Sequence, residues 1–220
     1  MRLFFTTGDI EIRDNTIRTE RSGVTDFGSE GTITIRNNDV RAEHDGIETF
    51  SSGGAVTIRN NDIQTEDEGL QAFRATGPLD IRGNTVEADD TGIASVYTDG
   101  GGDIVDNEVD GGRTGMVLRG SSDHRLRDNT ITGADAGFSV TRGYDHDIDR
   151  SNTVDGDPIY YLNGETGTSV TGEDDPGFVA VVDSTDVTFR TVTAWDPATG
   201  RPPSTARSRT VTSVPSTMAR

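Results

Sequence analysis

The chain has 220 residues, a formal net charge of −18, no lysine and no cysteine. Its length predicts one domain. The charge argues against nucleic acid and anionic lipid as partners, and the missing thiols exclude disulfides and thiolate metal sites. Leu, Ile, Val and Phe together number 46, close to the share below which a highly charged chain stays unfolded. A fold therefore has to come from a regular pattern that needs only a thin core.

The pattern runs from the first residues. The opening stretch, MRLFFTTGDI, has no long apolar run and does not read as a secretory leader. It resembles the middle of a repeat, so further sequence is expected upstream. From there an asparagine recurs at Asn15, Asn38, Asn61, Asn84, Asn107, Asn129 and Asn152, a near-constant step of one repeat. An aliphatic residue stands three before it (Ile12, Ile35, Ile58, Ile81, Ile104, Leu126) and another two after it (Ile17, Val40, Ile63, Val86, Val109, Ile131, Val154). The seventh unit slips by one and places Ile148 four before Asn152. Further on in each unit comes Gly23, Gly46, Gly69, Gly92, Gly115 or Gly137, each followed by an apolar residue. A fixed period in this range is the mark of a solenoid.

The spacing within a unit gives its shape. Ile33-Thr34-Ile35 alternates with period two and predicts a strand with one face inward. Val40 and Ile47 open two further short strands, and the Asn and Gly between them suit bends with positive φ. Stacked units of this kind predict an all-β right-handed parallel β-helix of about seven to eight coils, because parallel crossovers are overwhelmingly right-handed. The asparagines are expected to form a ladder, each amide bonding to the next coil. The repeat block spans 1–162. An acidic linker follows over 163–176, then the start of a further coil over 177–200. Residues 201–220 hold four Arg and no acid. That reversal of charge reads either as a disordered Ser/Thr/Pro-rich tail or as a change of reading frame near Gly200.

The repeated IxIRxNxI units resemble those of pectate-lyase-like β-helix proteins. The stretch SNTVDGDPIYYLNG (151–164), with GFVAVVDSTDVTFRTVTAWD (177–196) after it, resembles the end of the repeat block in NosD-like proteins of the periplasmic copper-binding type. The resemblance covers roughly residues 9–196. It implies a module that binds or hydrolyses carbohydrate, or an accessory protein for a copper enzyme. Copper is not carried over: the chain has three Met, three His and no Cys, and copper wants thioether, thiolate or imidazole ligands. Met116 falls in the apolar column that follows the glycines. A Lys-free, Asp-rich surface suits very high salt, where charge is screened, and points to a halophilic archaeal source.

Three constellations could carry chemistry. Glu43, Asp45, Glu66, Asp67, Glu68, Asp89 and Asp90 precede the glycine column on successive coils. An oxygen-rich row of this kind suits calcium, and the plain alternative is a solvated acidic surface. Asp123-His124 and Asp145-His146 lie one coil apart and should be neighbours, either as zinc ligands or an acid–base pair, or as a polar ladder at a bend. Phe27, Phe50 and Phe73 should stack, filling a corner of the core or, if exposed, offering a strip for sugar rings; the core is the expected place. Arg13, Arg36, Arg59 and Arg82 form a further column, expected to face outward with acids around it.

The function expected is a non-catalytic extracytoplasmic β-helix module that binds or scaffolds carbohydrate or surface polymers. The alternatives are a polysaccharide lyase or glycoside hydrolase working with calcium, and an accessory protein for a transporter or metalloenzyme. No catalytic residue is assigned and no cofactor is required. Direct membrane insertion is not expected, whereas end-to-end self-association through open solenoid edges is.

Overall fold

A computed structural model describes residues 1–172 and 176–190. Three strands and three bends recur in each coil, and the strands stack into parallel sheets. The first sheet runs Arg2–Phe4, Val24–Phe27, Ile47–Phe50, Glu68–Phe73, Thr91–Val96, Thr114–Arg119 and Ala136–Thr141. The second runs Ile10–Arg13, Ile33–Arg36, Val56–Arg59, Leu79–Arg82, Gly102–Val105, His124–Arg127 and Asp147–Ile148. The third starts at Thr16–Thr19 and climbs through Asp39–Ala42, Asp62–Thr65, Thr85–Ala88, Glu108–Gly111 and Thr130–Thr132 to Thr153–Val154.

The register follows the repeat. Ile33 pairs with Val56, Val56 with Leu79 and Leu79 with Gly102, so each column of the sequence becomes a column in space. Alternation decides what is buried. In Ile33–Arg36 the two isoleucines are fully buried, while Thr34 and Arg36 face out. One continuous core of inward Ile, Val and Leu runs from Ile12 to Val182, with Met116 in it. Ile148 pairs with Leu126, so the one-residue slip in the seventh unit is absorbed in the bend and the column stays in file.

The asparagine ladder forms. Each amide Nδ2 donates to the Oδ1 of the asparagine one coil on, from Asn15 to Asn152, at 2.7 to 3.0 Å. From Asn38 onward it also donates to a backbone carbonyl of the preceding coil, such as Ile12 or Ile35. The same Oδ1 takes the backbone N–H of the asparagine below it. The ladder residues do not themselves turn the corner. The left-handed position belongs to the residue before each of the first six: Asp14, Asn37, Asn60, Gly83, Asp106 and Asp128, with φ between 53° and 60°. The ladder asparagine saturates the bend, and its neighbour makes it.

The glycine column also has a different cause from the one expected. None of Gly23, Gly46, Gly69, Gly92, Gly115 or Gly137 has positive φ. A Cβ on Gly46 would lie 2.4 Å from Ile63 Cγ2 and 2.5 Å from the Gly69 carbonyl oxygen. Glycine is required here because adjacent coils approach too closely for any side chain.

The regular stack ends at Asp155 and Gly156, both with positive φ, where the chain reverses. Val154 pairs antiparallel with Asp157, and the strand Asp157–Asn163 then runs parallel to Phe178–Val182. Ser169–Thr171 pairs with Thr188–Arg190. The coil in this last part is shorter than those below, since Ile159 already meets Phe178. Tyr160 and Leu162 enclose a small second core with Val170, while Tyr161 joins the main one. The basic tail over 201–220 and the final residues of the coil expected over 177–200 lie outside the described residues.

Candidate functional site

The outward face of the first sheet is built from three columns. Ser22, Asp45 and Glu68 lead into the strands. Thr25, Glu48, Gln71, Ala94 and Val117 pair in register behind them, and Phe4, Phe27, Phe50, Phe73, Val96 and Arg119 pair at the strand ends. Because side chains alternate across a strand, Val24 and Asp26 point inward while Thr25 and Phe27 point out. The expectation that the phenylalanines fill the core is therefore corrected: none of Phe4, Phe27, Phe50 or Phe73 belongs to the core cluster. They form a strip outside it. Phe4, Phe27 and Phe50 stack at centroid distances of 5.4 and 5.0 Å, and Phe73 and Tyr97 continue the strip at 6.0 Å each. Arg74 lies over the Phe73 ring, and Arg142 donates to the Tyr97 hydroxyl. Tyr97 is seated over Gly120, where a Cβ would come within 2.5 Å of its ring. A shallow hollow of about 270 Å³ opens here, floored by Ala94, Val96 and Val117, with Phe50, Phe73, Glu68 and Arg119 at its sides.

Beside the strip stand three carboxyl groups, Asp45, Glu48 and Glu68, for which the described residues supply no ion pair. Ser22 donates to Asp45 at 3.1 Å, and Thr25 lies 3.4 Å from Glu48. Glu48 is only 8% exposed although it belongs to an outer face. Burial, reinforced by the Asp45 charge, pushes its carboxyl up to about 7. Burial and the charges of Asp45 and Asp90 raise Glu68 as well. Near neutral pH Glu48 is still partly protonated, where ordinary carboxylates have lost the proton.

The rest of the acidic row does not converge on one point. Glu43, Glu66 and Asp89 line a separate open hollow outside the third sheet, together with Arg18 and Arg41. Asp67 takes His44 at 2.9 Å, and Asp90 pairs with Arg113 at 2.8 Å. Among the described residues no group of three or more His, Asp or Glu is placed to hold a metal ion. The Arg column faces outward from the second sheet, with Arg36 on Glu11, Arg59 on Asp80, and Arg82 on Asp80 and Asp103.

His124 and His146 are neighbours, stacked at 5.6 Å and within 8° of parallel. Their aspartates do not join them: Asp123 and Asp145 are exposed, whereas the imidazoles point inward and are 0% and 4% exposed. His124 Nε2 meets the hydroxyls of Ser95 and Thr98 at 2.8 and 2.9 Å. Burial holds both rings down to about 4, so both are neutral at ordinary pH.

A family model described as a right-handed β-helix region matches residues 3–156. The chain belongs to the right-handed β-helix family. Comparison with curated proteins and with solved structures gave no match.

Within this right-handed β-helix, sequence reasoning found the columns and missed what some of them do. Phe4 and Tyr97 extend the aromatic strip at both ends, one coil before Phe27 and one coil after Phe73. Stepping the phenylalanine column one unit each way would have found Phe4. Glu48 gave no signal: it stands among 38 acids, and only its place between Asp45 and the rings sets it apart.

Proposed function

We propose that this β-helix is a polysaccharide-binding module that lays an extended glycan along the outer face of its first sheet. The aromatic strip outside the core carries the reading. Phe4, Phe27, Phe50 and Phe73 recur once per coil, with Tyr97 at the corner that follows; the stacked rings face one another and offer their edges, giving a repeated apolar ridge to a repeated ligand. Carboxyls and Gln71 beside the rings supply hydrogen-bond partners for sugar hydroxyls. A polysaccharide ligand fits the extracytoplasmic role expected from the sequence.

The test is electrophoretic retardation in gels cast with neutral or acidic polysaccharides. Phe50→Ala should weaken the retardation seen with the native chain. It also removes the ring contacts to Phe27 and Phe73, each worth about 0.5–1.5 kcal/mol, so circular dichroism has to show that the variant keeps its fold. Retardation of the native chain by no glycan, or full retention in the double variant Phe50→Ala/Phe73→Ala, would remove the reading.

A second reading is favoured by Glu48 alone. A carboxyl raised toward neutrality by burial and a neighbouring acid is suited to general-acid cleavage of a glycosidic bond. Release of reducing ends by the native chain, lost in Glu48→Gln while retardation persists, would convert the binder into a hydrolase.

A further inference from the structure

The histidine pair lies away from the aromatic face and has no part in the proposed binding. Its surroundings are unusual for two imidazoles. Among the described residues neither ring meets a carboxylate, and His124 Nδ1 and His146 Nε2 are buried without any hydrogen-bond partner. The backbone N–H of His124 points at His146 Nδ1 from 3.4 Å. A backbone N–H can only donate, so Nδ1 is the acceptor and the ring hydrogen sits on Nε2. A second proton would have to go onto Nδ1, where it would face that N–H donor to donor. It would also place a cation against a neighbouring ring inside the core.

The pair sits where the stack thins. His146 immediately precedes the strand Asp147–Ile148, which pairs through two residues, where the strands below it in the sheet pair through four. Tyr161, from the strand beyond the chain reversal, covers His146 at 6.3 Å and donates its hydroxyl to the Tyr144 carbonyl, on the stretch that leads into His146. On the outer side a hollow of about 500 Å³ borders the strand ends that carry the pair, while both residues stay buried. Asp123, Asp145, Asp147, Glu165 and Arg125 line it, so the carboxylates outnumber the single guanidinium at the mouth. Asp123 favours the charged form of both rings, but burial outweighs it while the latch is shut.

We propose that His124 and His146 form an acid-sensitive latch, a buried neutral pair whose protonation releases the end of the coil stack, from about residue 144 onward, from the coils below. The closed rings resist protonation down to about pH 4, whereas exposed histidines accept a proton near 6.5. The opened state therefore takes up protons that the closed state refuses, and its share grows as pH falls below 6.5. Between neutral pH and pH 5 the open population should rise roughly thirtyfold for each histidine freed. Residues 33–90 hold no buried histidine, and the raised carboxyls of Glu48 and Glu68 favour the closed state as pH falls, so the lower coils stay closed.

The test is amide hydrogen exchange of the intact chain at pH 7 and pH 5, corrected for intrinsic exchange. Peptides covering 144–165 should open roughly thirtyfold or more at pH 5, and peptides covering 33–90 should not. His146→Phe should cut the response to what His124 alone supplies, and His44→Gln, which removes an exposed histidine paired with Asp67, should leave it intact. Acid opening that spreads equally over 33–90, or that is undiminished in His146→Phe, overturns the latch. A measurement on the unaltered chain guards against a variant that does not fold. Imidazole proton shifts should show His44 titrating above the ordinary histidine value, because Asp67 holds its proton, with the other two rings flat to pH 5. Titration of His124 or His146 above pH 6 in the folded chain also overturns it.

Discussion

Asn84→Ala tests the ladder where it is complete on both sides. Asn84 is 1% exposed. Its amide Nδ2 donates to the Ile58 carbonyl and to Asn107 Oδ1, both at 3.0 Å, and its Oδ1 accepts the Asn61 backbone N–H at 3.0 Å and Asn61 Nδ2 at 2.9 Å. The substitution removes all four. Asn61 Nδ2 keeps the Ile35 and Arg59 carbonyls, and Asn107 Oδ1 keeps the Asn84 backbone N–H. The Asn61 N–H is left buried without a partner. An orphaned buried donor costs about 1–3 kcal/mol, and each lost bond about 0.5–1.5 kcal/mol. Allowing for the groups that keep a partner, the expected loss is about 3–5 kcal/mol. For a chain of this length that lowers Tm by roughly 6–20 °C. Asn15→Ala is the comparison, since Asn15 is only half-buried and accepts from no asparagine below it; it should cost about 1 kcal/mol or less. Urea denaturation of both variants, followed by circular dichroism, gives the two losses. Equal losses, or a loss below about 1 kcal/mol at Asn84, would refute the idea that the stacked amides satisfy the bends.

Two further outcomes follow from the same geometry. Gly69→Ala would set a Cβ 2.2 Å from Val86 Cγ1 and 2.6 Å from the Gly92 carbonyl oxygen, and should destabilise by about 1–3 kcal/mol, whereas Gly8→Ala meets nothing within 4 Å and should be near neutral; equal thermal melts for the two variants would contradict the close-approach account. Glu48 gives a pH signature. Its carboxyl is raised from 4.5 to about 7 in the folded chain, so between these values the folded state holds a proton that the unfolded state has lost. Stability from this group is therefore greatest below pH 4.5 and falls as pH rises to 7. The Tm of Glu48→Gln minus that of the native chain should grow from pH 5 to pH 8, and a flat difference would show that the carboxyl is ionised throughout.

The sequence alone determined the solenoid, its coil length, the asparagine ladder and the list of inward aliphatics. It could do so because each of these is a property of a column, and a column repeats once per coil whatever lies between. The phenylalanine column shows where apolar character misled. Phe27 stands three residues after the inward Val24, so alternation along one strand sends it outward, and the core place expected for it followed its apolar side chain instead. Spacing could not separate the two uses of glycine, since Gly69 is required by the approach of the next coil and Gly83 by a left-handed bend. The histidines show the same limit. Their spacing of one coil made them neighbours, but the tertiary structure turned the rings into the core and left their aspartates in solvent. Burial depends on what packs above and below a residue as much as on its place in the repeat, and that is decided only when the coils stack.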